Sequence, residues 1–286
     1  MKLGVASHRS IVPVWETVPI GRAAIRALYA ELALHPKPGL VSPLDSGSHD
    51  DMDMTTFMRS LFALRGYYRD IAAAGARGAD FATLQALGIA AERRMLSATG
   101  GVNTHRGAVF GLGLLTAAAG WLRRTGKPLG GQAFGDAVAT QWGDDILAAS
   151  PRAPDSNGAQ AIRRYGVRGA RQEAAEGFPT LFKVALPTLS RTFDILGCEE
   201  RAMVQTLFAL MAALEDTNLL HRGGPAGLTF VQAEAQRFLD HGGVFRPGWR
   251  AEALALHDAC IARRLSPGGS ADMLAAAWFV HSQQNA

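Results

Sequence analysis

The sequence predicts an all-α protein that folds as a single compact domain of many helices. Apolar residues recur every three or four positions, as at Val204, Leu207, Phe208, Met211 and Leu214, which is the spacing of a buried helix face. Runs of alternating β-branched residues bounded by turn residues are hard to find, so a β-sheet is not expected. The Gly- and Pro-rich breaks between the periodic segments are too short to link separate domains.

Each predicted helix extends from one of these breaks to the next. Residues 1–19 interrupt their apolar content with polar residues and proline, so they are predicted to be a loosely ordered tail before a helical domain over residues 20–286. In chain order the predicted helices span 20–34, ended by "HPKPG"; 54–74, ended by "GARGAD"; 82–98; 105–124, ended by "TGKPLGG"; 133–149; 158–175, ended by "GFP"; 179–196; 199–219, ended by "HRGGPAG"; 226–240, ended by "HGGVFRPG"; 249–265, ended by "SPGGS"; and 271–282.

The composition is that of a globular protein with a modest basic excess. Of its 286 residues 48% are hydrophobic and 19% charged, which is enough apolar material for a well-filled core. The formal net charge is +4, and the basic residues are scattered or paired along the chain, with no massed basic tract. Nucleic acid is therefore not an expected partner, whereas an anionic small molecule suits the charge balance.

The cysteines and the apolar runs indicate a cytoplasmic protein. Cys198 and Cys260 each lie in an apolar helical pattern, which favours packed free thiols in a reducing compartment. The N-terminus lacks the unbroken apolar core of a signal peptide. The longest apolar run, 107–122, is shorter than the roughly 20 residues that cross a bilayer, so no membrane association is expected.

Gly-Gly pairs at 100–101, 223–224 and 268–269 are predicted to open helices. The first turn of a helix presents unpaired backbone N–H groups and a partial positive charge, and glycine allows an anion to approach that backbone closely. The alternative is ordinary loop punctuation, as at 130–131 and 242–243. His105-Arg106 and His221-Arg222 add charge and a titratable group beside the first two pairs, which favours anion binding there.

Carboxylates crowd three of the same regions. In "SPLDSGSHDDMDMTTF" a helix cap explains one aspartate, but the density of acids favours a cation or several hydrogen-bond donors nearby. Glu215 and Asp216 are predicted to end an apolar helix, either as partly buried carboxylates with raised pKa values or as a solvated helix end. Ser270 and Asp272 are equally well explained as an N-cap with a first-turn acid or as part of a site.

The pooled features point to a magnesium–nucleotide polyphosphate. Mg²⁺ is typically held by one or two carboxylates together with substrate phosphates. The common signatures GxxxxGK[ST], GxGxxG, HExxH and CxxC do not occur, so the familiar nucleotide and metal sites are excluded. Lys37, between two prolines, suits a phosphate contact, although such lysines are often solvated; Arg171 and Glu173 are most simply an exposed helix face.

Five stretches in order resemble one known family. The stretches "PKPGLVSPLDSGSHDDMD", "ATGGVNTHRGAVF", "GARQEAAEGFP", "EDTNLLHRGG" and "LSPGGSADMLA" are similar to motifs of the triphosphoribosyl-dephospho-CoA synthase family, which serves citrate lyase and malonate decarboxylase. The resemblance extends from about residue 28 to residue 282. Ser46-Gly47 stands where many relatives have Asn-Gly, and the first 20 or so residues match nothing in the family.

The resemblance implies an all-α transferase that uses ATP as a glycosyl donor with Mg²⁺. The 2′-hydroxyl of 3′-dephospho-CoA would attack the anomeric carbon of the ATP ribose, adenine would leave, and the triphosphate would stay on the product. A downstream nucleotidyltransferase and an acyl-carrier protein subunit would then be indirect partners. Malonate decarboxylase is preferred over citrate lyase because the synthase stands alone, and a homodimer is left open.

Functional residues are implied wherever this chain matches the motifs, which also include Asp45 and Glu173. Asp216, His105, His221 and Glu215 are the implied catalytic residues, and Asp51, Asp53 and Asp272 the implied metal ligands. The implied nucleotide-binding residues are Lys37, His49, Gly100, Gly101, Asn103, Thr104, Arg106, Arg171, Asn218, Arg222, Gly223, Gly268, Gly269 and Ser270.

Breaking an N-glycosidic bond places oxocarbenium character on the ribose, so the reaction needs an acid for adenine and a base for the acceptor hydroxyl. The hypothesis gives the Mg²⁺–triphosphate to Asp51, Asp53, Lys37 and Arg106 with the turn at 100–101. Acid–base work falls to Asp216, His105 and His221. Two alternatives stay open: an enzyme of the same scaffold that hydrolyses ATP or uses another acceptor, and a nucleotide-binding assembly factor without turnover.

Overall fold

The computed structural model describes residues 14–149 and 156–284, and this part of the chain is all-α as predicted, without a strand. A π-helical turn, Leu181–Ala185, precedes α8, and a 3₁₀ turn, Gly243–Phe245, precedes α11. The helices are α1 (Val14–Ala33), α2 (Met54–Arg77), α3 (Phe81–Ala98), α4 (Arg106–Thr125), α5 (Ala133–Ala148), α6 (Asn157–Tyr165), α7 (Ala170–Ala175), α8 (Leu186–Leu196), α9 (Glu199–Ala213), α10 (Thr217–Asp240), α11 (Trp249–Ala262) and α12 (Gly268–Gln284).

The first helix begins earlier than predicted. Pro19 interrupts the apolar pattern and suggested a start at residue 20, but α1 begins at Val14 and continues through Pro19. Pro19 is the sixth residue of α1, so its missing N–H leaves one intrahelical hydrogen bond unformed without ending the helix. The predicted tail is therefore wrong for residues 14–19, and residues 1–13 lie outside the described residues.

Two other predicted helices are divided. The helix predicted over 158–175 is interrupted between α6 and α7, where Gly166 adopts a left-handed conformation with φ of 67°. The helix predicted over 199–219 ends at Ala213, and a new helix starts at Thr217. That helix, α10, passes through the predicted break at "HRGGPAG" with a kink at Gly224, whose φ of 61° and ψ of −166° favour glycine.

The helix α12 lies at the centre of the fold. It packs against α1, α4, α8 and α9, and its Leu274, Ala277, Phe279 and Val280 are fully buried. Its first residues are therefore brought up against the starts of other helices. Cys198 is half-buried and Cys260 buried, and both are free thiols, as predicted. None of the helices within the described ranges has the length and apolar character needed to cross a bilayer.

Helices α2 and α4 cross at backbone contact. A Cβ atom added at Gly75 would overlap the carbonyl oxygen of Ala117, and one added at Gly120 would overlap that of Ala72. The small residues on both helices therefore set how closely α2 and α4 approach. Gly66 lies on the same helix as Gly75, but an added Cβ there would meet no atom within 4 Å.

Gly75→Ala and Gly66→Ala are expected to change stability in opposite directions. Gly75→Ala should lower the free energy of unfolding by about 1–3 kcal/mol because the added methyl group forces the two backbones apart. Gly66→Ala should raise it by about 0.5–1 kcal/mol because alanine favours the helix and meets no obstacle. Urea unfolding followed by circular dichroism measures both, and equal effects of the two variants would contradict this account of the crossing.

Candidate functional site

Asp216 joins the starts of α10 and α12. Its Oδ1 accepts from the backbone N–H of Asn218 at 2.9 Å, and its Oδ2 accepts from the N–H of Ser270 at 2.9 Å and from the Ser270 hydroxyl at 3.1 Å. The residue is 1% exposed. Burial raises the pKa of Asp216, while the N–H groups of Ser270, Asn218 and Gly269 oppose that rise.

The prediction for this position was wrong in its local structure. Asp216 does not end an apolar helix; it is the N-cap of α10, where a carboxylate is favourable. Ser270 is not an N-cap, because α12 begins two residues earlier at Gly268. Its hydroxyl instead donates to Asp216.

Asp272 connects the start of α12 to the start of α4. A Cβ added at Gly107 would overlap Oδ2 of Asp272, and the carboxyl group accepts a hydrogen bond from the N–H of Ala108. Burial of the carboxyl group raises the pKa of Asp272 well above its usual value, and the nearby acids Glu31 and Asp216 raise it further. Asp272 therefore holds a proton at pH values where an exposed aspartate has lost it.

Three helix starts thus meet around two carboxyl groups, that of Asp216, which is buried, and that of Asp272, which is half-buried. Each start has a partial positive charge, so together they form a region suited to an anion. The Gly-Gly pair at 268–269 opens α12 as predicted, and an added Cβ at Gly269 would lie 3.0 Å from Oδ1 of Asp216. The absence of a side chain there allows the two helix starts to approach.

The other two Gly-Gly pairs do not open helices. Gly100 and Gly101 follow α3, and the N–H of Gly101 donates to the carbonyl of Leu96 at 2.7 Å, so this pair ends a helix. The pair at 223–224 forms the kink within α10. An added Cβ at Gly223 would lie 2.5 Å from Cδ2 of Leu265, so this glycine permits close packing against the turn before α12.

Lys37 is buried, so the alternative of a solvated lysine is wrong. It is 1% exposed, and its Nζ donates to both the backbone carbonyl and Oε1 of Glu31 at 2.7 Å. Burial lowers the pKa of Lys37, and the Glu31 carboxylate partly restores it. The ammonium group of Lys37 is paired with Glu31, and its positive charge acts on the site without direct contact, for example on His105.

His105, the residue before α4, is buried at 3% exposure. Its Nδ1 lies 2.7 Å from the Ser60 hydroxyl, and its ring packs edge-on against Phe57 with 4.9 Å between ring centroids. Burial, with a smaller contribution from the positive charge of Lys37, lowers the pKa of His105 to about 3. The imidazole is therefore neutral at physiological pH, and its buried Nε2 has no hydrogen-bond partner.

The rest of the "NTHR" motif surrounds the start of α4. Asn103 Oδ1 accepts from the N–H of Arg106 at 3.2 Å and so supports the first turn. The guanidinium of Arg106 is half-buried, with Nε 3.3 Å from Oε2 of Glu92. The hydroxyl of Thr104 is buried without a hydrogen-bond partner.

The acidic loop before α2 is more dispersed than predicted. Asp53 caps α2 through Thr56, and Asp45 Oδ1 lies 3.2 Å from Nε2 of the buried His257. Asp51 is 62% exposed, with Oδ1 3.6 Å from Nδ1 of His49. The described residues contain no group of three or more His, Cys, Asp or Glu side chains arranged to hold a metal, so Asp51 and Asp53 do not form such a cluster with Asp272.

His49 and Arg222 hold this loop against the turn before α12. The Nε2 of His49 lies 2.9 Å from the Ser266 hydroxyl, and Nδ1 lies 3.0 Å from a terminal nitrogen of Arg222. Arg222 also donates to the carbonyls of Ser48 and Arg264. Burial first, and then the Arg222 charge, lowers the pKa of His49. His49 and Arg222 therefore connect the loop before α2 to α10 and to the turn before α12.

Four predicted residues are not drawn into the buried centre. Glu215 and His221 are exposed on either side of the Asp216 cap, and Glu215 accepts from the N–H of Arg168 at 3.3 Å. Arg171 donates to the carbonyls of Ile146 and Leu147 at the end of α5. Glu173 accepts from the N–H of Thr180 at 2.6 Å, so Arg171 and Glu173 serve as helix-end contacts.

Four further residues of the site were missed from the sequence: Glu31, Ser60, Tyr68 and His257. Glu31 carried a local signal, since it is a lone acid in the apolar pattern that closes α1. Tyr68 is fully buried with an unpartnered hydroxyl, and burial, Tyr67 and Asp272 raise its pKa. Ser60 and His257 act through partners far away in sequence, so no local pattern marks them.

Comparison with known proteins agrees with the motif resemblance. The family model described as ATP:dephospho-CoA triphosphoribosyl transferase matches residues 18–286. The 2-(5″-triphosphoribosyl)-3′-dephosphocoenzyme-A synthase of Klebsiella pneumoniae is 44% identical over 267 residues, which cover 90% of this chain and 88% of that protein. The probable synthases of Acinetobacter calcoaceticus (39% identical, 89% of this chain and 87% of the relative) and Pectobacterium carotovorum (40%, 98% and 95%) are similar over the same extent.

No solved structure matches the chain. The extent of the family match, and identities near 40% over most of the chain, confirm the resemblance of the five motifs. The chain belongs to the ATP:dephospho-CoA triphosphoribosyl transferase family.

Proposed function

We propose that this transferase makes 2′-(5″-triphosphoribosyl)-3′-dephospho-CoA from ATP and 3′-dephospho-CoA, with release of adenine. The observation that carries the proposal is the meeting of three helix starts around the carboxyl groups of the buried Asp216 and the half-buried Asp272. Such a region offers the partial positive charge of the helix starts to a triphosphate and a carboxylic acid to a leaving base. Delivery of the product to the carrier subunit of malonate decarboxylase, in preference to citrate lyase, is part of the proposal.

The triphosphate would bind at the starts of α4 and α12. The half-buried guanidinium of Arg106 lies at the first of these starts and can form charge-assisted hydrogen bonds to phosphate oxygens. Lys37 contributes a positive potential from its buried position beside Glu31. This assignment revises the hypothesis of a direct lysine–phosphate contact, since the Nζ of Lys37 donates both of its hydrogen bonds to Glu31.

Mg²⁺ fits the acidic loop when the substrate supplies part of its coordination. Mg²⁺ prefers hard oxygen ligands and usually takes only one or two protein carboxylates, so a three-acid cluster is not required. Asp51 is largely exposed, and both hydrogen bonds from Thr56 to Asp53 end on Oδ1, so Oδ2 does not depend on them. Asp51 and Asp53 would hold the ion, which when bound would neutralise charge on the triphosphate.

Asp272 is the best general acid in the site. Burial raises the pKa of its carboxyl group well above the usual value, and donation of its proton to adenine would assist cleavage of the glycosidic bond. Asp216 is less suited to this role, because both of its oxygens already accept hydrogen bonds from helix starts. We assign the 2′-hydroxyl of 3′-dephospho-CoA to the solvent-exposed side of the site, where Glu215 and His221 lie near the N-terminus of α10.

The reaction can be tested directly. Purified protein is incubated with ATP, Mg²⁺ and 3′-dephospho-CoA, and mass spectrometry measures free adenine and the dephospho-CoA adduct. The proposal predicts adenine and adduct in equal amounts. Adenine with free triphosphoribose and no adduct would indicate hydrolysis or another acceptor, and ATP binding without adenine would indicate an assembly factor; either result overturns the proposed transfer.

Asp53→Asn should raise the Mg²⁺ concentration needed for half-maximal turnover by about tenfold, since losing one charged ligand costs on the order of 1–2 kcal/mol. Asparagine caps helices about as well as aspartate, so the melting temperature should change little. Asp80→Asn is the matched control, because Asp80 caps the N-terminus of α3 through the N–H of Thr83, as Asp53 caps α2 through Thr56. No metal site is proposed at Asp80. An unchanged Mg²⁺ requirement in Asp53→Asn would remove Asp53 from the metal site.

A further inference from the structure

The bond between Ser60 and His105 lies in the interior of the site. Ser60 is on α2 and His105 precedes α4, and the two are 0% and 3% exposed. The Ser60 hydroxyl and Nδ1 of His105 are 2.7 Å apart, and the Ser60 hydroxyl makes no other hydrogen bond within residues 14–149 and 156–284. The Nε2 of His105 has no partner.

Counting donors and acceptors decides which ring nitrogen holds the proton. If the Ser60 hydroxyl donates to Nδ1, one polar group lacks a hydrogen-bond partner, the N–H at Nε2. If Nδ1–H donates to Ser60, two polar groups lack a hydrogen-bond partner, the serine O–H and the unprotonated Nε2. Unpaired polar groups in the interior are costly, so the first arrangement is favoured.

We propose that Ser60 is a positioning residue that fixes His105 as the neutral Nε2–H tautomer, so that Nε2–H donates to a phosphate oxygen of bound ATP. The inference rests on the proposed use of ATP. It gives His105 a different role from the acid–base one expected from the sequence, because a nitrogen that already holds a proton cannot act as the base.

The surroundings of the ring favour an anionic acceptor for this N–H group. The positive charge of Lys37 acts on His105, and His105 is the N-cap residue of α4, where the helix has its partial positive charge. The ring is held on several sides, since Phe57 packs against it and its backbone N–H lies 3.3 Å from the sulfur of Met95. A fixed ring aims the donor without a reorganisation step.

The tautomer is measurable in the protein without ligand. In ¹⁵N-histidine NMR spectra the proposal predicts a protonated Nε2 and an unprotonated, hydrogen-bonded Nδ1 for His105, with no titration of this ring between pH 6 and pH 9, in keeping with its pKa of about 3. The His105 signal is assigned by its loss in His105→Gln. A protonated Nδ1 in the native protein would overturn the proposal.

ATP binding tests the consequence for the substrate. Calorimetry with Mg²⁺–ATP alone should show affinity reduced about tenfold in Ser60→Ala, because without the Ser60 hydroxyl the ring is no longer held in the tautomer whose Nε2–H bonds the charged phosphate. Ser60→Thr, which retains the hydroxyl, should restore most of the affinity. His105→Gln, whose side-chain amide can replace the Nε2 donor, should weaken binding less than His105→Ala.

Thr116→Val is the matched control, because it removes an equally buried hydroxyl that bonds only the carbonyl of Leu112 on its own helix. It should leave ATP affinity and the His105 spectrum unchanged. Wild-type affinity in Ser60→Ala, or equal losses in Ser60→Ala and Thr116→Val, would overturn the positioning role. Because these readouts need neither acceptor nor turnover, they are separate from a failure of the proposed transfer, which the adenine and adduct assay reports.

Discussion

The site depends on two carboxyl groups, one buried and one half-buried, that bring three helix starts together. Asp216 caps α10 and accepts from the first turn of α12, while Asp272, in that turn, lies against Gly107 and Ala108 at the start of α4. Helix starts repel one another through their partial positive charges, and carboxyl oxygens between them satisfy N–H groups that would otherwise lack partners. Gly107 and Gly269 leave the space that this approach needs.

This arrangement has a cost in stability that a purely structural role does not explain. Burial raises the pKa values of both acids, so the fold disfavours their charged forms. For Asp216 the cost is offset by hydrogen bonds on both oxygens, whereas Asp272 accepts one backbone N–H group and lies near two further acids. Groups that a fold retains against its own stability are typical of functional sites. The neutral imidazole of His105 and the unpartnered hydroxyl of Tyr68 belong to the same buried region.

The sequence predicted the helical class and most helix bounds because apolar periodicity is a local signal. It failed at the end of α9, because no glycine or proline marks the break and the polar residues 215–218 fit the last turn of the same helix. Asp216 was therefore placed at the wrong end of a helix. The motif residues were found, but their roles depend on contacts between distant segments, such as Ser60 with His105, that no local pattern contains. Lys37 was expected to contact phosphate, and its ion pair with Glu31 was missed because Glu31 lies on the preceding helix.

The most direct test of this account is the stability and turnover of Asp272→Asn as a function of pH. With a folded pKa above the unfolded one, Asp272 is protonated in both states below about pH 4, and the native protein loses stability as the pH rises from there to the folded pKa. The amide can still accept from Ala108, so the variant should melt above the wild type at pH 8, with the difference shrinking toward pH 4, and adenine release should fall by about 100-fold or more. Asp136→Asn, at an exposed acid in the first turn of α5, should change neither property. A variant that is less stable than the wild type at every pH, or that turns over normally, would contradict the claim that Asp272 is retained for chemistry.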